Sequence, residues 1–472
     1  MNVHSQTQDW VPQIEGASGP IYLAIADAIG AAVSAGTLSA GDRLPTHRAL
    51  ADSLDVDLTT ITRAYAEAQK RGLLQARVGR GTFVRSDRST APIKASPSDG
   101  PVDLGMNLPP IPTHPPLSAL LQQGLSRLLA ETDPTLLLAY RTGCGSADER
   151  AAGAAWLRPT LGEVDPERIL VCPGAQLALF SALGMVAASG DVVLTDALTY
   201  PGIRGAAAQL GIRLAGVHGD ASGLLPDALD EACHTLRPKA LYCIPTIQNP
   251  TTVTMPLERR RAVADVARRH GLPILEDDAY GLLPTAALPA IAALAPEITF
   301  HLATVSKTLS PALRVAWLVA PDARHAARLC AALRRSVLMG SPLLTGLLAN
   351  WVHDGTANAI LAAVRRESAA RQRLARAILP AGSFDAHPEG LHIWLRLPPR
   401  WDRRDLVAHL RQQGRLAVVP SDAFAADSAD VLPDAVRVSL GAAADREALR
   451  GALHTIASAL DPDAPVPFAD VI

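Results

Sequence analysis

Apolar positions along this chain follow two rhythms, and the change between them divides the sequence. From Pro20 to Ala35 they recur every four residues, at Ile21, Ile25, Ile29 and Val33, which predicts an amphipathic helix. Residues 48–54 predict a short helix, Asp55-Val56-Asp57 a turn, and residues 58–70 a longer helix that buries Ile61, Tyr65 and Ala68. Gly79-Arg80-Gly81 then separates GLLQARV from TFVRS, the pattern of a hairpin. Beyond residue 103 the rhythm changes. Continuous apolar runs (ILVC at 169–172, DVVLT at 191–195, ALYCI at 240–244, PILED at 273–277, FHLATVS at 300–306, VAWLVA at 315–320) alternate with helical patterns. Such runs predict a mostly parallel sheet covered on both faces. In the helix expected at 257–270, Thr254 is the candidate N-cap, Gly271 the stop, and the five arginines read as a solvated face.

Between the two rhythms, residues 86–102 (SDRSTAPIKASPSDGPV) have almost no large apolar side chain and read as a linker. The 472 residues therefore divide into a small module at 18–85, this linker, and a large region at 103–460. A hydrophobic fraction of 48% excludes a disordered chain. The formal charge of −2 gives no chain-wide nucleic-acid or membrane signal. The five cysteines form no CxxC pair and read as reduced thiols of a cytoplasmic protein. No metal site, signal peptide or membrane span is expected, the uncharged stretch 169–190 being broken by Pro173, Gly174 and Gln176.

Charge becomes informative locally. Residues 69–88 hold Lys70, Arg71, Arg77, Arg80, Arg85 and Arg88 against Asp87 alone, a net of +5 suited to phosphate contacts. Short helix, turn and longer helix make a helix-turn-helix, whose second helix enters the major groove. The segment GTLSAGDRLPTHRALADSL…TTITRAYAEAQKRGLL…GRGTFV resembles the GntR-type winged helix-turn-helix. That resemblance implies DNA contacts from Arg48 and, at the start of the recognition helix, from Thr59, Thr60, Thr62 and Arg63, with Arg80 at the wing tip. Leu58 stands where arginine or serine is common.

Lysine is scarce: only Lys70, Lys94, Lys239 and Lys307 occur among 44 positive charges. Only Lys307 directly follows an apolar strand, in ATVSKTLSPALRVAW, among hydroxyls and seven residues before Arg314. A buried lysine beside another cation has a lowered pKa, which favours a neutral, nucleophilic amine. CPGAQ (172–176) turns from strand into helix, whose first amides suit a phosphate. IPTIQNPTT (244–252) and LEDDAY (275–280) place Asn249, Asp277 and Tyr280 at strand ends, where a doubly wound sheet presents ligand contacts.

Together these motifs resemble the fold-type I aminotransferases over about residues 103–460. The resemblance implies that Lys307 holds pyridoxal 5'-phosphate as an internal aldimine, that Asp277 pairs with the pyridine nitrogen, and that Asn249 and Tyr280 hydrogen-bond the ring oxygen. Tyr200 would stack on the ring. The amides of Ala175 and Gln176, with Thr304 and Arg314, would hold the phosphate, and Tyr140 would reach the phosphate of a neighbouring subunit. Arg437, in VRVSLG, would clamp a substrate or effector carboxylate. NPTT at 249–252 replaces the commoner NPTG.

An all-α winged helix-turn-helix joined to an α/β aminotransferase-like domain is similar to the MocR subfamily of transcriptional regulators. That resemblance implies a homodimer that binds a DNA operator and senses pyridoxal phosphate, an amino acid or an amine, with transimination at Lys307 as the chemical event. A working aminotransferase with an accessory DNA-binding domain remains the alternative, because every residue needed for transamination is present.

Overall fold

The computed structural model describes residues 10–12, 20–35, 37–39, 41–77, 81–84, 102–141, 143–427 and 432–462. The chain divides into two compact units, residues 1–99 and 100–472. Arg80 and most of the expected linker, residues 86–101, lie outside the described residues.

The first unit packs three helices, α1 (Ile21–Ser34), α2 (His47–Leu54) and α3 (Leu58–Lys70), with a hairpin of β1 (Leu74–Arg77) and β2 (Gly81–Val84). Its core gathers Ile25, Ile29, Leu38, Leu44, Leu50, Ile61 and Tyr65. Ile21, the first residue of the helix, departs from the four-residue stripe and is exposed. Local polar groups fix the helix-turn-helix corner. Thr46 caps α2 through Ala49 N–H, Asp55 ends it in the left-handed region at φ 52°, and Asp57 caps α3 through Thr59 N–H.

The second unit is built on a seven-stranded sheet in the order Ile169–Cys172, Ala316–Val319, Thr299–Thr304, Ile274–Asp277, Ala240–Cys243, Val192–Asp196, Arg213–Val217. All pairings are parallel except those of Ala316–Val319, which runs against both neighbours. That reversal matters for the site. The register Thr304–Ala316–Cys172 puts the start of the antiparallel strand at the carboxyl ends of its neighbours, so Arg314 arrives beside Gly174. A smaller antiparallel sheet, ordered Phe384–Asp385, His392–Arg396, Ala435–Ser439, Val419–Pro420, carries His392 and Arg437. Val102, the linker's last residue, pairs in parallel with Leu416.

The helix expected at 257–270 forms as Leu257–Arg269, with two differences. Pro256 occupies the N-cap position without a side-chain bond, since the Thr254 hydroxyl instead accepts Ile247 N–H at 3.0 Å. Arg260 is not on a solvated face. It is buried and donates to the carbonyls of Met255, Pro245 and Pro289 and to the Thr246 hydroxyl, bracing the loop that precedes Asn249.

Candidate functional site

In the first unit, the start of α3 presents Leu58, 43% exposed, with Thr59, Thr62 and Arg63 also exposed and Thr60 half-buried. Several of these groups already have partners. The Thr59 hydroxyl donates to Asp57 Oδ1 at 2.5 Å, the Thr62 hydroxyl donates to Leu58 O at 2.9 Å, and the Arg63 guanidinium lies 4.2 Å over the Tyr22 ring. Arg48 is exposed on α2, with no hydrogen-bond or ion-pair partner among the described residues. Among the described charges of the +5 stretch, Arg71 is ion-paired with Asp27 at 2.5 Å and with Glu67 at 2.8 Å.

In the second unit, the strand Ile274–Asp277 sorts its carboxylates by the two-residue period of a strand. Glu276 points to one face, where it accepts Ile291 and Ala292 N–H and pairs with His301 Nδ1 at 3.0 Å. Asp277 points to the other. Its Oδ2 accepts the Tyr242 hydroxyl at 2.7 Å, while Oδ1 is buried and has no partner. Burial pushes the Asp277 carboxyl up, against the Tyr242 hydrogen bond that lowers it. A buried carboxylate oxygen without a donor fits the protonated nitrogen of a pyridine ring.

Lys307 Nζ donates to the main-chain carbonyl of Asn107 at 2.5 Å. Burial first, and then the Arg437 cation, lower this amine to about 8, against an opposing pull from Asp277. The cation beside the lysine is therefore Arg437, not the sequence-adjacent Arg314.

Asn107 ties the site together. Its amide nitrogen donates to Tyr280 Oη at 2.9 Å and to His392 Nδ1 at 3.0 Å, and its amide oxygen accepts from the Ser439 hydroxyl at 3.3 Å. An amide nitrogen only donates, so Nδ1 accepts and the His392 proton sits on Nε2. Burial and the nearby Arg437 hold His392 down at about 3, so the ring is neutral. Asn107→Ala removes all three side-chain bonds and strands three groups. It is expected to lower the unfolding free energy by about 2–4 kcal/mol in denaturant titrations. Covalent capture at Lys307 is expected to survive, because the main-chain carbonyl remains.

Arg437 is buried, donates to Asn249 Oδ1 at 2.7 Å and to Gly105 O, and lies 4.9 Å over the Phe424 ring. Its Nε has no partner, which leaves a donor for an incoming carboxylate. Thr252 sits at φ 66°, the left-handed region where the commoner glycine is at ease and a β-branched residue is strained.

The phosphate-sized corner forms at Gly174, the N-cap of helix Ala175–Val186. Gly174 has φ 101°, and a Cβ there would meet Arg314 Nη2 at 2.6 Å, so only glycine lets the guanidinium lie against the helix start. The first amides of that helix have no intrahelical acceptor. Thr304 Oγ1 donates within this corner to Ser306 Oγ at 3.0 Å. Gln176 Nε2 donates to Gly202 O at 2.8 Å, and its Oε1 accepts from Tyr200 Oη at 3.3 Å.

The structure thus brings Lys307, Asp277, Tyr280, Asn249 and Arg437 into one connected cluster, with Tyr200, Gln176, Thr304, Arg314 and the Ala175 helix start beside it. Tyr140 is not part of this cluster. It is 83% exposed at the rim of a cavity of about 530 Å³ that Arg141, Glu149, Met339 and Thr345 also line. Asn107, Tyr242 and His392 are site residues that sequence reasoning missed. Only Tyr242 carried a signal, as a hydroxyl in a strand whose other residues are apolar.

These residues fit pyridoxal phosphate, and comparison with known proteins agrees. Residues 100–456 match the family "Aminotransferase class I and II", and residues 21–84 match "Bacterial regulatory proteins, gntR family". The HTH-type transcriptional regulator YdeF of Bacillus subtilis is 30% identical over 96% of this chain and 97% of its own length. The vitamin B6 salvage pathway transcriptional repressor PtsJ of Salmonella typhimurium is 29% identical over 79% of this chain and 84% of its own. Among solved structures, the α-aminoadipate aminotransferase LysN of Thermus thermophilus, complexed with N-(5'-phosphopyridoxyl)-L-leucine, superposes with a TM-score of 0.68 at 28% identity, covering 84% of this chain and 98% of that one. The chain belongs to the aminotransferase class I and II family, in the MocR-type arrangement that joins this domain to a gntR-family DNA-binding head.

Proposed function

We propose that this protein is a DNA-binding transcriptional regulator whose large domain binds pyridoxal phosphate and reads a small amine or amino acid through Lys307. The observation that carries this reading is a complete lysine–aspartate–arginine cluster in a chain that begins with a helix-turn-helix. When bound, the cofactor supplies an aldehyde that takes up a primary amine and a ring that draws electrons from it. The chain's own residues supply the rest. Lys307 provides the amine, Asp277 Oδ1 holds the proton on the ring nitrogen, and Asn249 and Tyr280 bond the ring oxygen. Tyr200 packs on the ring, and Ala175, Gln176, Thr304 and Arg314 hold the phosphate. Asn107 O accepts a hydrogen bond from the Lys307 amine. Arg437 takes a carboxylate through its unpartnered Nε. An effector that binds one state of this cluster better than another changes the population of states, and with it DNA binding.

On the DNA side, Arg48, Thr59, Thr60, Thr62, Arg63 and Arg80 are the proposed contacts, with Leu58 offering apolar contact to a thymine methyl. A homodimer is supported by Leu138 and Tyr140, 80% and 83% exposed, beside Leu136, Val337 and Leu338, which are also exposed. A second copy covering this face would bring Tyr140 toward the partner's phosphate corner. Among the described residues no helix is long and apolar enough to cross a membrane, and the proposed place of action is the cytoplasm, where the DNA is.

The test is binding of the full chain to its own upstream DNA, with and without pyridoxal phosphate and a panel of amines and amino acids. The expected result is a complex of two chains whose affinity changes at least fivefold with cofactor or amine, and weakens steeply with salt. Turnover of an amino acid with a 2-oxo acid, without any change in DNA affinity, would instead establish the aminotransferase reading.

A further inference from the structure

Helices Pro226–Leu236 and Leu257–Arg269 pack side by side, and three side chains of metal-ligand type, Asp230, His234 and His270, meet between them. Asp230 and His234 are four residues apart on the first helix, so they share one face. His270 is the C-cap of the second. The two imidazoles address the two oxygens of one carboxylate: His270 Nε2 lies 2.9 Å from Asp230 Oδ1, and His234 Nε2 lies 3.6 Å from Asp230 Oδ2. The rings stand edge to face, 4.8 Å apart, and all three ligand atoms fall within 4.8 Å of one another.

We propose that Asp230, His234 and His270 bind a divalent transition-metal ion of the zinc class, with water completing its coordination. An ion about 2.0–2.2 Å from each ligand sets neighbouring ligand atoms about 3–3.5 Å apart, so the histidine–aspartate separations of 2.9 and 3.6 Å need little change and the two imidazoles, now within 4.8 Å, close in on the ion. Two imidazoles and one carboxylate select zinc, nickel, cobalt or copper over magnesium and calcium, which prefer an all-oxygen shell. Arg269 Nη2 shares Asp230 Oδ1 at 2.9 Å and is the cation that the metal displaces. His234 is 72% exposed, which leaves an open side for entry and for water. The bound ion ties the two helix ends together. This site is independent of the pyridoxal phosphate reading.

The experiment is calorimetric titration of the untagged full chain with zinc chloride and with nickel chloride at neutral pH. One ion per chain is expected to bind in the micromolar range. His234→Ala and His270→Ala are each expected to weaken binding at least tenfold, while His325→Ala, which removes a simple histidine–aspartate pair with Asp322, leaves it unchanged. Because His234 is exposed, its alanine variant folds, and circular dichroism checks this. No saturable binding by the wild type overturns the proposal, and so does weakening in only one of the two histidine variants.

Discussion

Full-length protein carrying Lys307→Ala is expected to take up no pyridoxal phosphate covalently on borohydride reduction, where the wild type takes up one per chain, and its DNA binding is expected to stop responding to amines. The argument rests on numbers of lysines and on placement. Among the described lysines, Lys70, Lys239 and Lys307, only Lys307 is held in the Asp277–Arg437 cluster. Its protonation sets a second expectation. A proton held with a pKa of about 8 must leave before the amine attacks a carbonyl, so covalent capture slows about tenfold for each pH unit below about 8 and levels off above it. Arg437→Gln removes one of the two influences that lower this amine, and the profile moves to higher pH. Stability gives the control. A lysine whose folded value lies below its unfolded value penalises the fold fully below about pH 8, and that penalty is relieved as pH rises from about 8 toward the unfolded value of about 10.4. Lys307→Ala removes the penalty, so the variant melts no lower than the wild type at pH 7, and lost capture there is lost chemistry. Capture that persisted on another residue would remove Lys307 from its role.

Which parts of this site were legible in the sequence follows from how far each contact reaches. Lys307, Asp277 and Tyr280 stand at the ends of apolar strands, where residue type and local period already place them. The helix-turn-helix was legible for the same reason: the turn at Asp55-Val56-Asp57 and the buried stripe Ile61, Tyr65 and Ala68 are patterns within a few residues, while the caps at Thr46 and Asp57 emerge from the structure. Asn107 was not legible. Its partners lie 173 and 285 residues away, and only the packing of the N-terminal extended segment against both sheets brings them together. The cation beside Lys307 was misplaced for a related reason. Arg314 is near in sequence, but the antiparallel strand turns it toward Gly174, while Arg437 comes from the small sheet. Arg259 and Arg260 show the opposite failure, since helical spacing cannot say that two arginines of three in a row turn to satisfy main-chain carbonyls.

Asp277→Asn is expected to weaken pyridoxal phosphate binding about 30- to 150-fold, measured by equilibrium dialysis of the cofactor with Lys307 intact. The carboxylate has one oxygen satisfied by Tyr242 and one buried and unpartnered, and on the proposed reading the cofactor ring nitrogen would be the donor that completes it. A charge-assisted hydrogen bond in such a site contributes about 2–3 kcal/mol, which is the stated loss once about 1.4 kcal/mol is taken as tenfold. Asparagine keeps the shape but not the charge, so the ring nitrogen loses its proton and the ring its capacity to draw electrons. Tyr242→Phe separates the contributions. It leaves Asp277 in place and removes only the bond to Oδ2, for which about 1 kcal/mol, or roughly fivefold, is expected. If the two variants weakened binding equally, Asp277 would be acting through the Tyr242 contact and not on the cofactor. The folded state supplies a further discriminant. Burial raises the Asp277 carboxyl, so the empty site bears a cost that a neutral asparagine does not. Asp277→Asn should therefore melt at or above the wild type without cofactor and below it at saturating cofactor. That crossing of the two melting curves is the signature of a carboxylate retained for its ligand and not for the fold.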